Sequence, residues 1–77
     1  MPTRLAAVLD VLDVRGAATA LEAARERGCC ERTVERALAE LRAAGYVAAA
    51  ADEEREHGRV RWRTTAAGVA ARYQVWP

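Results

Sequence analysis

The stretch from Gly28 to Val47, GCCERTVERALAELRAAGYV, constrains this chain more than any other, because it holds a turn, a two-faced helix and an abrupt stop. From Thr33 onward the apolar residues fall at Val34, Leu38 and Leu41, with Ala37 and Ala44 beside them, one stripe at helical spacing. Such a stripe must be buried. The other face then carries Glu31, Arg32, Glu35, Arg36 and Ala39, so two guanidinium groups point outward from a helix expected over 31–44. Gly45 ends it, since the residue after a helix often takes a positive φ that only Gly adopts at little cost.

Upstream, Ala24, Gly28 and Val34, with Leu21 on the Ala24 face, are spaced as in a helix-turn-helix. A small residue sits where two helices cross closely, a Gly where the chain bends, and a branched apolar residue where the second helix is locked down. Downstream come LRAAGYV, a short acidic segment, GRVRWRTT and then AAG. This order resembles the winged-helix regulators of the MarR and PadR kind over most of the chain. The resemblance implies a mainly α fold with a small β-hairpin: a winged helix-turn-helix of three helices, a two-stranded wing and a C-terminal helix. It also implies double-stranded DNA as partner and transcriptional regulation as the role.

With 77 residues the chain has room for a single domain, 1–77, with one core and no catalytic cleft between domains. That core is thin, built from Leu, Val and much Ala, with no Phe and only Tyr46, Trp62, Tyr73 and Trp76 as aromatics, so help from a partner chain is in keeping with its composition. No phosphate loop, nucleophile-base pair or metal cluster is present, and with no Ser and one His the usual catalytic constellations cannot be built. We therefore expect no enzyme, no cofactor and no metal. The net charge of +1 gives no general pull on nucleic acid, but its distribution is uneven: Arg59, Arg61 and Arg63 follow Asp52, Glu53, Glu54 and Glu56.

Cys29 and Cys30 are adjacent, with no other Cys and only His57 as a second ligand type. Neighbouring cysteines are poorly placed to bridge each other, and one pair makes no secreted disulfide framework. The expectation is a buried Cys29 and a small Cys30 near the helix start, with a thiol redox switch as the alternative. The N-terminus has no charged lead before an apolar run, and no run is long enough to span a bilayer, so a cytoplasmic protein without membrane contact is expected.

Taken in order, Thr3 can cap a first helix whose face is Leu5, Val8, Leu9 and Leu12, widened by Val11 and Val14 and ended by Gly16. Ala17 and Ala18 read as a short connection. Thr19-Ala20-Leu21-Glu22 reads as a capping box opening a second helix to about Arg27. Beyond Gly45, Ala48 to Ala51 has high helix propensity, but the break at Gly45 and the alternation of Arg59 to Thr64 favour two strands paired across the acidic loop, with His57-Gly58 at the turn. Val60 and Trp62 then share one face and the three arginines the other. Thr65 is placed to cap a last helix through Gln74, which Gly68 weakens.

On this reading the 31–44 helix enters the major groove, where Arg32 and Arg36 read guanine edges or hold phosphates. Glu31 and Glu35 either accept from cytosine or partner the arginines. Arg25, Arg59, Arg61 and Arg63 hold the backbone alongside. The competing reading is a winged helix used for protein contacts, as an adaptor or a small inhibitor, favoured by the near-neutral charge and the acidic loop. The apolar end, Tyr73 to Trp76, is expected on the first helix or on a twin; the homodimer contact would join Tyr73, Val75 and Trp76 to the twin's Val11 and Val14.

Overall fold

A computed structural model describes residues 3–50 and 59–74 of the chain. Four helices and a small antiparallel sheet follow in the order α1 (Thr3–Arg15), β1 (Ala18–Thr19), α2 (Ala20–Arg27), α3 (Glu31–Ala43), β2 (Val47–Ala49), β3 (Arg61–Thr64) and α4 (Ala66–Gln74). The fold is mainly helical. Among the described residues no helix is long and apolar enough to cross a membrane.

The core is the sum of the apolar stripes read from the sequence. Leu5, Val8, Leu9, Val11 and Leu12 of α1 meet Val34, Ala37, Leu38 and Leu41 of α3, while Ala20, Ala23 and Ala24 of α2 fill the space between. Alanine at those α2 positions lets the helices pack closely, so a chain without Phe still buries Leu9, Leu12, Val34 and Leu41 fully. Tyr46 and Trp62 lean on this cluster from outside. Thr3 is the first residue of α1 rather than the one before it.

Local signals hold where they were strong. The Thr19 hydroxyl accepts from the Glu22 N–H at 3.1 Å and the Glu22 carboxylate accepts from the Thr19 N–H at 2.9 Å, closing the capping box. Gly28 ends α2 with φ 68° and Gly45 follows α3 with φ 82°, both in the region that favours glycine. Thr65 accepts from the Gly68 N–H at 3.1 Å and so caps α4. Ala48 and Ala49 are strand, not helix, because β2 finds its backbone partners on β3 in the register Val47↔Thr64, Ala48↔Arg63 and Ala49↔Trp62.

The sheet has three strands where two were expected. Ala18, read as a connection, and Thr19 form β1, which pairs with β3 through Ala18↔Trp62 and Thr19↔Arg61, so β3 is central in the order β1-β3-β2. Two residues carry no alternation to read, and only the distant partner makes them a strand.

The last helix folds back on the first. The Arg72 guanidinium donates to both Asp10 and Asp13, one turn apart on α1. At its other end α4 presses so close that a Cβ built on Gly68 would lie 2.1 Å from the Tyr46 carbonyl oxygen and 2.8 Å from Thr64 Cγ2. Gly68, expected to weaken the helix, is what admits it to the fold.

Candidate functional site

Helix α3 carries three stripes rather than two. The buried one, Val34, Ala37, Leu38 and Leu41, fixes its orientation. Directly opposite stand Arg32 and Arg36, one turn apart and exposed, and among the described residues no hydrogen bond or ion pair engages either guanidinium. Between these lies an acidic stripe, Glu31 and Glu35, turned toward β3 together with Ala39 and Arg42.

That third stripe lines a groove of about 750 Å³ whose other wall is Arg59, Val60 and Trp62. Arg59 crosses it to pair with Glu31. Farther along, the Arg42 guanidinium lies 5.7 Å from the centroid of the Trp62 ring, within cation-π range. Glu35 is exposed on the groove wall. The groove therefore holds its own cations against its own carboxylate and ring.

The arginines of the last strand do not act as a set. Arg61 is half-buried, donates to the Ala17 carbonyl at 3.2 Å and stands 3.7 Å from Glu22. Glu22 also pairs with Arg15 at 3.2 Å, and its carboxyl is held below the ordinary carboxylate range, first by the Thr19 N–H and then by Arg15 and Arg61. Arg61 thus ties β3 to the α1–α2 junction, which changes its expected place beside Arg59 and Arg63 on one outward face. Arg63 is exposed on β3, and Arg25 is exposed in the last turn of α2, near the turn that leads into α3.

The cysteines depart from expectation: both are exposed, Cys29 included. Burial of Cys29 fails because the turn at Gly28 swings it outward before α3 begins, and Val34 already fills the core position there. The residues offered for self-association also divide. Val11 is 4% exposed within its own chain and has no surface left for a twin, whereas Val14 is 75% exposed. Val75 and Trp76 lie outside the described residues, as do the side chain of Tyr73, the acidic loop and His57-Gly58. Among the described residues no group of three or more His, Cys, Asp and Glu is placed to hold a metal ion.

Sequence reasoning missed Arg42, Arg72 and Arg15. Arg42 was findable, since it follows Glu35 by two helical turns on the α3 stripe next to the buried one. Comparison with known proteins adds no relative: no family model, no curated protein and no solved structure matches the chain.

Proposed function

We propose that the chain is a winged helix-turn-helix domain that binds double-stranded DNA, with α3 as its reading helix and β2–β3 as its wing, acting in transcriptional regulation as a binding module rather than an enzyme. The observation that carries the reading is the pair Arg32 and Arg36, exposed and without a side-chain partner among the described residues, directly opposite the buried stripe of α3. A helix anchored on one side and bearing two unengaged guanidinium groups on the other suits the major groove, where each can take a guanine edge or a phosphate. The Gly28 turn between α2 and α3, the exposed Arg25 in the last turn of α2 and the exposed Arg63 on β3 support the same reading, the two arginines as backbone contacts.

Arg59 and Arg61 enter this proposal differently. Arg61 positions β3 through Ala17 and Glu22. Arg59 reaches a phosphate only by leaving Glu31. The neutralised groove and the net charge of +1 favour the second reading, a protein-contact module. Pairing of two copies would rest on Val14 and the C-terminal residues, and sedimentation of the intact chain tests it.

Selection from a pool of random duplexes decides between the two readings. Enrichment of a common sequence supports DNA reading, and an inverted repeat would add a two-fold pair. A pool that passes through unretained at low salt contradicts it, since even nonspecific phosphate contact retains duplex there.

A further inference from the structure

Cys29 and Cys30 stand apart from the arginine face, and their exposure runs against the ordinary preference of unpaired cysteine for burial. Their backbones are well anchored. The Cys29 N–H donates to the Ala24 carbonyl at 3.0 Å, and the Cys30 carbonyl accepts from Thr33 and Val34 at 3.1 and 3.4 Å. Thr33 touches one side chain and borders the same cleft as the other: its hydroxyl lies 3.1 Å from Cys30 Sγ, and it and Cys29 are among the residues lining a cleft of about 220 Å³. The rest of that cleft is Thr3, Arg4, Ala7, Val8, Arg27 and Val34, between α1, the end of α2 and the start of α3, with a mostly apolar surface beside the two arginines. The Thr33 hydroxyl, and after it the Thr33 backbone N–H, draw the Cys30 thiol below its ordinary range and favour the nucleophilic thiolate.

We propose that Cys29 and Cys30 form a two-sulfur site for a trivalent organic arsenical, whose organic group enters the cleft beside Thr33. The chemistry suits the geometry better than its rivals. A disulfide between neighbours must meet a narrow range of Cβ separation and dihedral, which an arsenic atom set between the sulfurs relaxes. Zinc needs further protein ligands, and no group of three His, Cys, Asp or Glu is found among the described residues. An aryl-arsenic centre needs only two, because carbon fills its third position. Reaction with an arsine oxide forms two S–As bonds, and the arsenic-bound oxygen leaves as water with the two thiol protons. Arsenic stays trivalent, so no oxidant is required. An apolar cleft of this size suits a ring the size of benzene.

The test uses the full chain, reduced and freed of reductant, with phenylarsine oxide as probe, and needs no DNA. Intact-mass spectrometry should show one adduct per chain with loss of both titratable thiols. The adduct should survive excess 2-mercaptoethanol and leave with 2,3-dimercaptopropanol. Cys29→Ser and Cys30→Ser should each lose that resistance to the monothiol while keeping the wild-type circular dichroism, which reports on folding. A wild-type chain that retains a free thiol at saturating probe would overturn the site, as would a single-cysteine variant whose adduct is equally persistent.

Discussion

Arg59, just ahead of β3, pairs with Glu31 in the first turn of α3, so the approach to the strand and the start of α3 are joined across the groove by one ion pair. An anion in the first turn of a helix is favourably placed, and Arg59 holds it there. The pair occupies an arginine and a carboxylate that the sequence offered to DNA separately. Glu31→Gln should therefore raise DNA affinity, by removing a negative charge and releasing Arg59, and steepen the salt slope by about one unit if Arg59 then meets a phosphate. Weaker and less selective binding would assign Glu31 to a cytosine edge instead. The cost to stability should be below about 1 kcal/mol, because both groups are partly solvated.

Gly68→Ala tests the packing of α4. In an open helix the change would stabilise by up to about 1 kcal/mol. Here the added methyl meets the Tyr46 carbonyl, a backbone atom with little room to move, so destabilisation of about 1 to 3 kcal/mol is expected in urea unfolding. A more stable variant would show that α4 does not rest on Tyr46.

Glu22 sets an acid-sensitive term. Its carboxyl is held low by the Thr19 N–H, then by Arg15 and Arg61, so the stabilisation is full above the ordinary carboxylate value of about 4.3 and fades as pH falls toward the folded value. Glu22→Gln keeps an acceptor for Thr19 but loses the charge. The stability gap between wild type and variant, under about 1 kcal/mol at neutral pH for a carboxylate that is still partly solvated, should close on acidification. A gap that widens toward acid would contradict the assignment.

What the sequence disclosed follows the range of each interaction. The capping box at Thr19 and Glu22, the Gly28 turn, the buried stripe of α3 and the Thr65 cap are settled within a few residues, and all were legible. β1, the close seat of Gly68 and the Arg72 clamp on Asp10 and Asp13 each need a partner far along the chain, and none left a local pattern. At the candidate site Arg32 and Arg36 stand where helical spacing put them. The alternation of β3 exposed Arg63 and turned Trp62 to the core, but it could not disclose that Ala17 and Glu22 engage Arg61. The exposure of Cys29 was misread because residue preference was applied where the turn geometry decides.

The central claim is that Arg32 and Arg36 on α3 meet DNA. The most direct measurement is a salt titration of duplex binding for the wild-type chain and for the Arg32→Ala and Arg36→Ala variants, each checked for an unchanged fold. Each substitution should weaken binding to a selected site by about 1 to 3 kcal/mol with relaxed discrimination if it reads a guanine, or flatten the salt slope by about one unit if it holds a phosphate. Affinity and slope unchanged in both variants, or a wild-type chain whose binding ignores salt, would contradict it.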